Sequence, residues 1–144
     1  MIKKEMIYFY DEEASTQPRE MFAEGEIDGY EYIIISCGLY PIIYVKLPDD
    51  SEIAKIPTWG AAVNKLNRIY DFRGGVTYYS DSLYINGKEL RGMFIGWSYN
   101  TDDDFIAGKY FENHANGKKW TTEELVEEAK AAIKAISKYG GQAK

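Results

Sequence analysis

His114 is the only histidine and Cys37 the only cysteine in this 144-residue chain. One chain therefore cannot assemble a histidine metal triad, a two-histidine acid–base device, a disulfide or a cysteine zinc site. The sequence contains no Gly-x-Ser-x-Gly elbow and no Cys–His pair in a recognisable setting. His114 sits in the polar, turn-rich stretch 112–117, where a solvated loop histidine is expected. Asp102-Asp103-Asp104 places three carboxylates in one loop. Oxygen-rich loops hold Ca²⁺ or Mg²⁺, so Asp102, Asp103, Asp104 and His114 form a candidate metal site. The EF-hand alternation is absent, and a solvated turn is the simpler expectation.

Arg73-Gly74-Gly75 stands directly before an apolar run. Two successive backbone N–H groups without side chains can form an anion-binding nest beside a guanidinium. The order differs from nucleotide fingerprints, in which glycines follow a strand and open a helix. A tight turn needing glycine's backbone freedom explains the same residues. Tyr78, Tyr79, Tyr84, Trp97 and Tyr99 offer a stacking platform, or ordinary packing on a sheet. Together Arg73, Gly74, Gly75, Tyr78, Trp97 and Tyr99 make the candidate pocket for a small anionic ligand.

The formal net charge is −6, and the nearest approach to a run of basic residues is Lys118-Lys119. Direct nucleic-acid binding is not expected, because gripping phosphates takes several clustered cations. Acids crowd the first 31 residues, so an acidic face could instead engage a basic protein. Tyrosine is in excess, with 13 Tyr against 6 Phe and 3 Trp, which suits half-buried sheet faces, binding surfaces or contact between copies in a homo-oligomer. No apolar run reaches membrane-spanning length and the first residues do not form a signal peptide, so a cytoplasmic protein is expected. No cofactor is implied.

The elements that must position these residues suggest one α+β domain over 1–144. A first strand is expected at 7–10 and a helical turn at 18–23. Apolar runs at 30–37 and 42–47 flank Gly38-Leu39-Tyr40-Pro41 and predict a hairpin of central strands covered on both faces. Helical spacing behind Pro57-Thr58 predicts a short helix near 58–70. A strand at 76–79, a hairpin around Asn86-Gly87, a strand at 92–99 and an edge strand at 105–111 follow. Gly96 and Ser98 leave a face where something can approach the backbone closely. Thr121 and Glu124 form a capping box, with Trp120 and Leu125 as the staple pair. Leu125, Val126, Ala129, Ile133 and Ile136 stripe the helix behind it, which Gly140-Gly141 should stop. The expected architecture is a mostly antiparallel sheet of about five or six strands against this C-terminal amphipathic helix.

Gly74-Gly75-Val76-Thr77-Tyr78, then Met93-Phe94-Ile95-Gly96-Trp97-Ser98-Tyr99, then Trp120-Thr121-Thr122-Glu123-Glu124 occur in an order that resembles a family of uncharacterised proteins of phages and prophages. The resemblance extends over about 28–138 and includes Gly29-Tyr30 and Tyr44-Val45-Lys46-Leu47-Pro48, leaving 1–27 as a variable acidic segment. The family pattern has His before Gly-Gly and Asp after Gly-Phe/Trp; here Arg73 and Ser98 stand there, with Asp103 or Asp104 at a later acidic position. The resemblance implies a phage origin, and any metal or catalytic use of those positions is expected to be lost. The resulting expectation is a non-enzymatic binding protein acting on a host component in counter-defence. It would sequester a small anionic molecule or block a host protein. The alternatives are a metal-dependent hydrolase using the Asp102 to Asp104 loop, and a structural or housekeeping phage protein.

Overall fold

The computed structural model describes residues 20–36, 39–85, 88–106 and 109–142. Five antiparallel strands form one sheet: β1 (Glu20–Ile27), β2 (Tyr30–Ser36), β3 (Pro41–Lys46), β4 (Tyr78–Ile85) and β5 (Lys88–Ser98), in the spatial order β1-β2-β3-β5-β4. Among the described residues two α-helices accompany it, α1 (Trp59–Ile69) and α2 (Thr122–Gln142), with 3-10 turns at Ile53–Lys55 and Lys109–His114. The α+β class, the antiparallel sheet and the long C-terminal helix packed on it are as expected. Among the described residues no helix is long and apolar enough to cross a membrane.

β2 and β3 are apolar on both faces because both faces are covered. Tyr32, Ile34, Ile43 and Val45 point into the core beneath the helices. Ile33, Ile35 and Ile42 point the other way, into a second cluster with Leu83, Ile85 and Phe94. Members of that second cluster lie on strands that are not neighbours, so the β4–β5 hairpin must curl over the outer face. A bulge permits this: Ser80 pairs with Phe94 but Ser82 pairs with Arg91, so β5 has one residue more than β4 across that step. Gly92 takes φ 128° there, and a Cβ would meet the Lys46 side chain at 2.4 Å. What approaches the backbone at Gly96 is the protein's own Tyr44 ring, 2.6 Å from where a Cβ would stand. Tyr78 packs edge-on against Tyr44, with centroids 5.3 Å apart.

α2 forms for local reasons. Thr121 Oγ1 accepts from Glu124 N–H at 3.1 Å, and Glu124 Oε1 accepts from Thr121 N–H at 2.9 Å. Leu125, Ala129, Ala132, Ile133 and Ile136 are essentially fully buried. Each buried Leu or Ile stabilises the packing by about 1.5–3 kcal/mol.

Several expectations need correction. Glu20–Ile27 is a strand, not a helical turn, and pairs along β2. The hairpin turns on Asp28-Gly29 with φ 53° and 86°, the positive pair a type I′ turn demands. The predicted strands at 76–79 and 92–99 begin elsewhere, as β4 starts at Tyr78 and β5 runs unbroken from Lys88. Among the described residues no edge strand follows Phe105; Lys109–His114 is a 3-10 turn, and Asp104 makes an isolated parallel bridge to Lys118. α2 continues through Gly140-Gly141 to Gln142, since glycine weakens a helix without ending it. The strand expected at 7–10 lies outside the described residues.

Candidate functional site

The chain leaves α1 at Tyr70, whose N–H still donates to Leu66 O. Gly74 and Gly75 follow with φ 70° and 83°, a sharp reversal that only glycine enters without strain. Gly75 N–H donates to Phe72 O at 2.8 Å, so this donor closes the turn instead of cradling an anion. Asn67 Oδ1 accepts from Val76 N–H at 3.0 Å and ties the turn back to α1. The result swings Arg73 toward the loop that follows β5.

In that loop Asp104 is fully buried. Its Oδ1 accepts from Arg73 Nη2 at 2.7 Å and from Trp120 Nε1 at 2.9 Å. Its Oδ2 accepts from Arg73 Nε at 3.2 Å, and from the N–H and hydroxyl of Thr101 at 2.9 Å each. Burial pushes the carboxyl up, but these donors outweigh it and hold Asp104 below the usual aspartate range. The same pairing raises Arg73 further above the range in which it would lose its proton. His114 Nδ1 lies 3.0 Å from the Asp104 carbonyl oxygen. Gly117 packs so closely that a Cβ would fall 2.2 Å from the Asp104 carbonyl carbon. Asp104 is therefore the tie joining the α1 turn, the β5 loop and the start of α2.

This tie corrects the expectation of three solvated carboxylates. Asp102 and Asp103 are exposed, but Asp104 is not, and its oxygens are engaged by cationic and N–H donors. His114 is half-buried against backbone. Among the described residues no group of three or more His, Cys, Asp or Glu is placed to hold a metal ion.

The six residues expected to share an anion pocket do not converge. Arg73 and Gly74 line an open cleft, while Gly75 is turned toward Asn67. Trp97 and Tyr99 are core residues with 1% and 0% exposure. Trp97 Nε1 donates to Tyr99 Oη at 2.9 Å, and Tyr99 Oη donates to Glu128 Oε1 at 3.0 Å. Burial, with the Glu128 charge, pushes the Tyr99 hydroxyl far up, so it stays protonated. Tyr78 belongs to the opposite face of the sheet, beside Tyr44. Alternation along a strand divides it from Trp97, because Tyr78 pairs with Gly96, one residue out of phase.

The cleft has a volume of about 530 Å³. Half-buried Tyr70 lines it, and the nearly buried Phe72 and Trp120 lie at its base. Lys118 and Arg73 already stand over the Trp120 ring, and Asp71, Asp103 and Glu128 supply carboxylates. Arg73 is the one cation on its lining among the described residues, and its charge is matched by buried Asp104. Burial raises the Tyr70 hydroxyl most, and the neighbouring Glu128 and Asp71 carboxylates raise it further. Three carboxylates beside one arginine that Asp104 already neutralises are chemistry for a cationic group. The sequence reading missed Tyr70, Asp71, Trp120 and Glu128. Trp120 was in view as a helix staple; it shares the core with Leu125 and also lies at the base of the cleft. Compared with known proteins, the chain matches no family model, no curated protein and no solved structure.

Proposed function

We propose that this chain is a non-catalytic binding protein of a phage or mobile element that blocks a host protein by taking up a basic side chain in the Arg73–Trp120 cleft. The resemblance in Gly74-Gly75-Val76-Thr77-Tyr78 and Trp120-Thr121-Thr122 supports the origin. The observation that carries the binding mode is the charge balance of the cleft. Asp71, Asp103 and Glu128 face it, while its arginine is already neutralised from behind. Of the two ligand classes suggested by sequence, the small anion meets repulsion here and the basic protein group meets attraction. The hydrolase alternative loses support, because Asp104 serves as an internal counter-charge for Arg73.

Calorimetric titration with a short arginine-rich peptide tests the reading. Binding should weaken as salt rises. The double variant Asp71→Asn, Asp103→Asn should weaken it roughly tenfold, since both side chains are exposed and neither holds the fold. Undiminished affinity in that variant would refute the cleft as the binding site.

A further inference from the structure

A second concave feature has the opposite electrostatic character. Between the C-terminal parts of α1 and α2 runs a groove of about 380 Å³, lined by Lys65, Arg68, Ile69, Ala135, Lys138 and Tyr139. The chain carries 23 acids against 17 bases. Yet neither α1 nor residues 129–139 of α2 contain an Asp or Glu, while they hold Lys65, Arg68, Lys130, Lys134 and Lys138. Helices normally offset such cations with carboxylates three or four residues away. Lys130 does so, reaching Glu127 at 3.7 Å. Among the described residues Lys65, Arg68 and Lys138 enter no ion pair.

Helix dipoles account for part of this pattern, since carbonyl ends favour cations within the last turn. Arg68 lies in the last turn of α1, but Lys65 lies a turn earlier and faces the same groove. Its ammonium stands 5.4 Å from the centroid of the Tyr139 ring, so it reaches across the groove that Arg68 and Lys138 also line. Like charges brought together in this way repel one another, and a multivalent anion relieves the repulsion. The net charge of −6 disfavours anions over most of the surface. Salt confines that repulsion to about 10 Å, which leaves the acid-free groove locally positive.

We propose that this groove binds a nucleoside polyphosphate. Arg68 presents a planar fork matched to phosphate oxygens, and Lys65 and Lys138 act as point charges on either side. Tyr139 and Ile69 supply the aromatic and apolar wall for the organic part, and the volume falls in the range of small-molecule sites. The assignment does not depend on the acidic cleft, because the two share no lining residue among those described.

Calorimetry at low ionic strength with ATP, and separately with inorganic tripolyphosphate, tests it on the intact chain. ATP should bind more tightly than tripolyphosphate, and the arginine-rich peptide should not displace it. Arg68→Glu and Lys138→Glu should each weaken ATP binding roughly tenfold. Lys130→Glu, on α2 but outside the groove, should change it less than about twofold. The assignment is overturned by absence of ATP binding, by equal affinity for the two probes, or by an equal loss in Lys130→Glu.

Discussion

At Asp104 one buried carboxylate accepts five hydrogen bonds from Arg73, Trp120 and Thr101, whereas three cations of the α1–α2 groove stand without an ion pair among the described residues. Both places concentrate charge where helices meet the rest of the fold. In the first, the five bonds to Asp104 close inside the protein and its carboxylate neutralises Arg73. In the second, the charge meets no carboxylate among the described residues and lines an open groove. The contrast separates residues that hold the structure from residues available to hold something else. Conspicuous residue types do not make that distinction by themselves. Arg73 looked like the ligand-binding arginine in the sequence, and Arg68 is the better placed one.

The comparison breaks most severely at Asp104. Asp104→Ala leaves half-buried Arg73 without its hydrogen-bonded counter-charge and strips Trp120 Nε1 of its acceptor. Removing one partner of a buried pair costs about 3–5 kcal/mol, and partial exposure of Arg73 places this case near the lower figure. Urea unfolding of the variant against the parent would show it. A loss below about 1 kcal/mol would mean that the tie is ornamental and that Arg73 is free for ligand after all.

Acid offers a gentler probe of the same region. Asp104 and Glu124 both have carboxyls held below their ordinary values, Asp104 by Arg73, Trp120 and Thr101 against burial, and Glu124 chiefly by the Thr121 N–H. A depressed carboxyl stabilises the folded state above its unfolded pKa, and that stability is lost as pH falls through the folded pKa. Stability should therefore hold down to about pH 4.5 and decline below it. Glu124→Gln should remove the earlier part of the decline, since the ordinary Glu value lies above that of Asp. Urea midpoints measured from pH 6 to pH 3 decide this, and a parent curve flat to pH 3 would contradict the pairing at both carboxyls.

What could be read from the sequence follows the range of the interactions. α2 was legible because its capping box and apolar stripe are local, three or four residues apart. The β2–β3 hairpin was legible because both faces of each strand are apolar. β1 was missed because Glu20, Glu24 and Glu26 hide its strand character, and the Asp28-Gly29 turn that pairs it was passed over. Burial of Asp104 could not be foreseen, since its partners Arg73 and Trp120 lie 31 and 16 residues away. The basic groove was invisible for the same reason. Lys118-Lys119 is adjacent in sequence, but Lys65, Arg68 and Lys138 meet only when α1 packs on α2.

The smallest expected effect sharpens the comparison from the other side. Arg68→Glu and Lys138→Glu should each change folding stability by less than about 0.5 kcal/mol, the usual span for surface substitutions. Both side chains are exposed and neither has an ion-pair partner to lose among the described residues. Reversing Arg68 in the last turn of α1 opposes the helix dipole by a few tenths of a kcal/mol, while relief of repulsion from Lys65 and Lys138 acts in the opposite direction. Urea midpoints for the two variants, taken beside those for Asp104→Ala, give the measurement. A loss above about 1 kcal/mol in either would show that these cations serve the fold, and the division between a neutralised tie and an open groove would fail.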